Sequence, residues 1–123
     1  MNKVILMGRL TRDPDVKQTQ SGRLVARFTL AVDRNISKAN RREDQHTADF
    51  IGCEAWEKTA DFAEKFLAKG KRVLLEGRIQ TGSYEAQDGT KRYTTDVIAE
   101  RIEFADSRRQ DDGGEGWPDD IPM

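Results

Sequence analysis

One cysteine and one histidine are all that 123 residues contain. A lone Cys53 excludes an intramolecular disulfide, and with it a secreted disulfide scaffold. His46 and Cys53 lie seven positions apart with no partner at metal-ligand or triad spacing, so neither a zinc site nor a nucleophilic triad finds its donors. The bland readings suit both better: an exposed loop histidine and a small core cysteine. No glycine-rich loop follows a strand-like run to cradle a phosphate. No apolar run approaches the roughly 20 residues of a membrane-spanning helix. The start, MNKVILMGRL, lacks the apolar stretch and cleavage pattern of a secretory signal, so the cytoplasm is the expected location. Acidic residues are common, but no pair stands out from a generally charged surface. An enzyme is therefore not expected, nor any metal or cofactor.

What is present is charge, unevenly placed. Charged residues make up 35% and the hydrophobic set 36%, which leaves material for one small core. The formal net charge of -1 conceals a split. Residues 1–105 hold 19 Lys and Arg against 16 acids, whereas residues 106–123 hold two Arg against six acids. A mildly basic body with an acidic tail suggests an anionic partner and a separate task for the tail.

Hydrophobic periodicity orders the body. Residues 3–10, KVILMGRL, read as a strand apolar on both faces, buried by its own core and by a second subunit. TRDP and QSG mark a turn or loop. Residues 23–33, RLVARFTLAVD, alternate, with Leu24, Ala26, Phe28, Leu30 and Val32 on one face. Residues 34–47 are polar and read as a long exposed loop. Residues 48–56, ADFIGCEAW, make a third strand. Residues 57–69 change to helical period, with Gly70 as the expected C-terminal cap. Residues 71–81 and 92–104 make the fourth and fifth strands, and Asp88-Gly89 between them is a turn signal. Three strands, one helix and two strands match an all-β, five-stranded OB-fold Greek-key barrel, with the helix between strands three and four. Another small β-barrel or an α+β sandwich is the competing architecture. From about Asp106 the periodicity ends, and the tail reads as disordered.

Parity on the third strand separates two faces. Ile51, Cys53 and Ala55 are small and apolar, as a tight interior requires. Phe50, Gly52, Glu54 and Trp56 share the other face. Its two aromatics are roughly 20 Å apart along the strand, far enough for each to hold a different base. The competing expectation is that the helix packs over this face and buries Trp56. Tyr84, in the expected hairpin, is a third candidate. Basic residues are available throughout: Lys3, Arg27, Arg34, Lys38, Arg41, Arg42, Lys58, Lys69, Arg72, Arg78, Lys91 and Arg92. Stacking aromatics beside a basic groove are what sequence-tolerant binding of single strands needs, at about 1–3 kcal/mol per stacked base. Taken singly, each cation is a solvated surface charge; only the clustering carries weight.

These residues resemble a known family. NKVILMGRLTRDPD, ARFTLAV, LLEGRIQT, DGTKRYTTDV and the acidic DDIP near the end match, in order, segments of bacterial and phage single-stranded DNA-binding proteins. The resemblance implies an OB-fold over residues 1–105 that assembles as a homotetramer, wraps single-stranded DNA and serves replication, recombination and repair. It puts the stacking positions at Phe50, Trp56 and Tyr84, and basic contacts at Lys3, Lys58, Lys69 and Arg92. It also implies a partner-binding tip at Asp119, Asp120, Ile121, Pro122 and Met123, recruiting replication and repair proteins. Two departures are visible: Ile36 stands where many members carry a stacking Trp, and Met123 where the family typically ends in Phe. An RNA-binding or protein-interaction OB module, with structural aromatics, is the alternative.

Overall fold

The structure, a computed structural model, describes residues 1–34 and 47–105. Its elements are β1 (Val4–Leu10), β2 (Asp15–Gln18), β3 (Leu24–Asp33), β4 (Ala48–Trp56), α1 (Lys58–Phe66), β5 (Arg72–Glu85) and β6 (Lys91–Phe104). The strands are ordered β1-β5-β6-β4-β3-β2, and β1 also pairs with β3 through Arg9↔Ala31 and Leu10↔Leu30. That second pairing turns the sheet back on itself as the OB-fold barrel. Every adjacent pair is antiparallel except β4 with β6, which run parallel at Cys53↔Val97 and Glu54↔Ile98.

The interior follows from alternation. Leu10, Leu30, Val73 and Leu75 are fully buried, with Ala26, Phe28, Cys53 and Ala55 filling the space between them. Each fully buried leucine contributes about 1.5–3 kcal/mol over leaving it in water. Small residues on β3 and β4 let strands close at small radius. Gly77 marks the place where β5 changes register, between Glu76 and Gly77. A Cβ there would run into the carbonyl oxygen of Ile98, so the close approach of β5 to β6 requires glycine.

Three expectations need correction. First, a sixth strand exists. Asp15–Gln18 pairs with β3 from Asp15↔Arg27 to Gln18↔Leu24, in a stretch that reads as loop because only Val16 is apolar. Second, α1 is shorter than 57–69. It ends at Phe66, and Leu67 turns extended (φ -97°, ψ 145°) to bury its side chain in the core. Gly70 does not cap the helix; it sits in the following turn and donates its N–H to the carbonyl of Leu10 at 2.9 Å. Third, β5 and β6 extend well past the barrel as a hairpin arm, paired out to Glu85↔Lys91. Asp88 holds the turn through Thr90, accepting from its N–H at 3.0 Å and its hydroxyl at 2.7 Å. These bonds, the hydroxyl one foremost, hold the Asp88 carboxyl below its usual range.

The first strand is apolar on both faces, but only one is buried by the described residues. Val4, Leu6 and Leu10 meet the core, while Ile5 and Met7 are 65% and 51% exposed. No helix among the described residues is long and apolar enough to cross a membrane.

Candidate nucleic-acid interface

Cross-strand register decides which side chains share a surface, because directly paired residues point the same way. On β4 the outer residues are Phe50, Gly52, Glu54 and Trp56, opposite Ala31, Thr29, Arg27 and Val25 of β3. On the other side Glu54 pairs with Ile98, which pairs with Arg78. Along the arm the same face continues through Gln80↔Asp96, Gly82↔Thr94 and Tyr84↔Arg92. Phe50, Trp56 and Tyr84 therefore lie on one continuous outer face, although Tyr84 is 28 positions from Trp56 in the sequence. Tyr84 is on a strand, not in the turn. Phe50 is 64% and Tyr84 57% exposed.

Trp56 is partly buried. Ala60 and Ala63 of α1 are buried in the core cluster, so the helix closes the end of the barrel. Trp56 borders an open hollow with Arg23, Arg78, Gln80 and Ile98. Its indole Nε1–H donates to Glu54 at 3.1 Å, and the Arg23 guanidinium lies over the ring. A larger groove of about 440 Å³ lies between the aromatics, with Gly52 in its lining, flanked by Arg12, Arg27, Glu54 and Asp96.

The expected phosphate contacts divide into two groups. Several cations already hold an acid: Arg27 with Glu54 at 3.1 Å, Arg34 with Asp49 at 2.7 Å, Arg78 with Glu100 at 3.5 Å and Arg92 with Asp88 at 3.5 Å. Lys3 pairs with Glu76 at 2.5 Å, beside Ile5. That hydrogen bond raises the Lys3 ammonium above its usual range and lowers the Glu76 carboxyl below its own. By contrast, Lys58 and Lys69 make no side-chain ion pair among the described residues. Arg72 is partly buried opposite Arg9. Lys91 lies 5.6 Å from the centroid of Tyr93. Lys38, Arg41, Arg42, Ile36 and His46, together with the tip Asp119, Asp120, Ile121, Pro122 and Met123, lie outside the described residues.

Four residues escaped the sequence reading: Arg12, Arg23, Asp96 and Tyr93. Alternation places Arg23 on the outer face of its strand, but not beside Trp56, because no signal in a single sequence gives cross-strand register. The same holds for Asp96, which register brings to Gly52. Tyr93, 77% exposed on the reverse side of the arm, could have been found by extending the alternation of β6 past the barrel.

The model of the single-strand binding protein family matches residues 1–105. The chain is 51% identical over 108 residues to the single-stranded DNA-binding protein of Clostridium perfringens, covering 87% of this chain and 67% of that one. It is 45% identical over 119 residues to the protein of the same description from Clostridium tetani, covering 95% and 79%. It is 44% identical over 113 residues to single-stranded DNA-binding protein 2 of Listeria innocua, covering 92% and 69%.

Proposed function

The chain belongs to the single-strand binding protein family, and on that premise we propose that it binds single-stranded DNA without strong sequence preference, protecting it during replication, recombination and repair. The observation that carries the reading is the continuous outer face bearing Phe50, Trp56 and Tyr84. Bases stack on these rings, and the phosphates between them meet Lys58, Lys69, Arg78 and Arg92. A duplex hides its base faces inside its own stack, so the same surface rejects it. The protein acts by binding and catalyses nothing.

Two further parts belong to the proposal. The exposed outer face of β1, with Ile5 and Met7, seats a second copy, and the assembly is a homotetramer in the cytoplasm. The tip, Asp119 to Met123, recruits replication and repair proteins: its acids face a basic rim on the partner, while Ile121 and Met123 enter an apolar pocket. Deleting residues 113–123 leaves DNA affinity intact or tighter and abolishes that capture.

The test is a titration with poly-dT and with duplex DNA over a salt series, following tryptophan emission in a Trp117→Phe background so that Trp56 alone reports. Quenching by poly-dT with weak duplex binding is the expected result. Equal affinity for both, or no quenching, would overturn the reading and favour an RNA-binding or protein-interaction module.

A further inference from the structure

The groove around Gly52 is a poor place for phosphate. Asp15, Glu54 and Asp96 line it together with Asp13, against the guanidiniums of Arg12 and Arg27 only. Most of these acids are engaged. Glu54 holds Arg27 at 3.1 Å, Asp15 pairs with Lys17 at 3.7 Å, and Asp13 accepts the Lys69 N–H at 2.8 Å. The Asp96 carboxylate has no hydrogen bond or ion pair among the described residues. It lies on the aromatic face, and a Cβ on residue 52 would sit 2.9 Å from its Oδ1. Glycine at 52 thus lets this carboxylate lie close over the strand, at the border of the groove. Gly52 is two residues from Phe50, about 7 Å along the strand, within reach of the edge of a base stacked on that ring.

We infer that Asp96 reads the edge of a base held at Gly52 and favours bases that carry an exocyclic amine, cytosine among them, over thymine. The inference rests on the reading that Phe50 and Trp56 hold single-stranded bases. An ionised carboxylate only accepts hydrogen bonds. Cytosine offers it the N4 amine, whereas thymine offers O4 at the same position, and two acceptors repel. With phosphate disfavoured by the surrounding acids, the base edge is what enters. The remaining stacking contacts stay indifferent to sequence, so the bias is local and is superimposed on general binding.

Oligo-dC and oligo-dT of equal length, measured at pH 8 and one salt concentration, carry the same phosphate contribution, so their affinity ratio isolates the base edge. Asp96→Asn supplies an amide that donates as well as accepts. It should shift the dC:dT ratio toward dT by about three- to tenfold, the net value of one hydrogen bond. Gly52→Ala, which displaces the carboxylate, should shift the ratio the same way. Asp15→Asn removes an equal charge from the groove and should tighten both oligonucleotides alike. An unchanged ratio in Asp96→Asn and Gly52→Ala, with both oligonucleotides still bound, overturns the inference and leaves single-strand binding standing. Failure of the wild-type protein to bind either one overturns both.

Discussion

The guanidinium of Arg23 lies 4.7 Å from the centroid of the Trp56 ring. Arg23 is itself held by Glu57 at 2.6 Å, and the indole Nε1–H is tied to Glu54. One face and the polar edge of the ring are thus fixed before any ligand arrives. A ring set in place costs less to order on binding than a free one, and the guanidinium is itself a surface on which a base can lie.

Trp56→Ala should therefore weaken single-strand binding by about 1–3 kcal/mol, the range for one stacked base. It should also lower the melting temperature, because the partly buried ring loses its contacts with Arg23 and Glu54. Phe50→Ala should cost comparable affinity and leave the melting temperature unchanged, since that ring is mostly in solvent. Oligo-dT titration and thermal melts of the two variants separate the cases. Equal melting losses would show that Phe50 packs against structure rather than waiting for a base.

Ion pairing sets how many phosphates the face can neutralise. Arg27 is spent on Glu54, whose side chain is only 14% exposed. Glu54→Gln keeps an acceptor for the Trp56 Nε1–H and releases Arg27. The slope of log affinity against log salt should then steepen by about 0.7 per phosphate gained on a single strand. Lys58→Ala removes a cation that has no ion pair among the described residues and should flatten the slope by about the same amount. A slope in Glu54→Gln equal to that of the wild type would place Arg27 away from the phosphates.

Much of this face is legible from alternation alone. The parity of β4 separates Cys53 and Ala55 from Phe50 and Trp56, and burial follows that division at these four positions. Alternation is informative there because one face is buried. It fails on β2, whose four residues lie at the sheet edge and bury almost nothing, so no period marks them as strand. It fails again on the arm beyond Gly77, where both faces meet solvent and only pairing with β6 shows that Tyr84 is in a strand. The helix end misleads for a different reason. Gly70 has the positive φ of a cap, at 87°, but the core draws Leu67 inward and stops the helix three residues earlier. Electrostatic placement is the least legible, since Arg23 and Asp96 acquire their neighbours only through register.

Cys53 gives the fold a measurable dependence on alkaline pH. Its thiol is buried, donates to the carbonyl of Ile51 at 3.5 Å, and is pushed up to about 12, first by burial and then by the charge of Asp96. An unfolded thiol ionises near pH 8.5. Between these values the unfolded state releases a proton that the native state keeps, so stability falls as pH rises. From pH 8.5 to 10 the wild type should lose about 1.6 kcal/mol more than Cys53→Ala, read from urea midpoints. Alkylation at pH 8 should be slow in the native protein and rapid in urea. Prompt native labelling would mean that the strand opens locally around Cys53.

Ile5 and Met7 point outward from β1, exposed among the described residues, and Leu74, paired with Met7, widens the patch. The Lys3–Glu76 and Arg101–Glu103 pairs border it, the pattern of an apolar centre with a charged rim. Burying an exposed isoleucine contributes about 1.5–3 kcal/mol per copy, and a charge in its place forfeits that gain and must itself be desolvated. Ile5→Lys should shift sedimentation equilibrium from a tetramer toward smaller species at micromolar concentration. Because the three aromatics lie outside this patch, the dissociated form should still quench on short oligo-dT, while longer strands that engage several subunits should bind more weakly. A wild-type protein that sediments as a monomer would leave the β1 face without the proposed occupant. An unchanged tetramer in Ile5→Lys would move the interface elsewhere on the barrel.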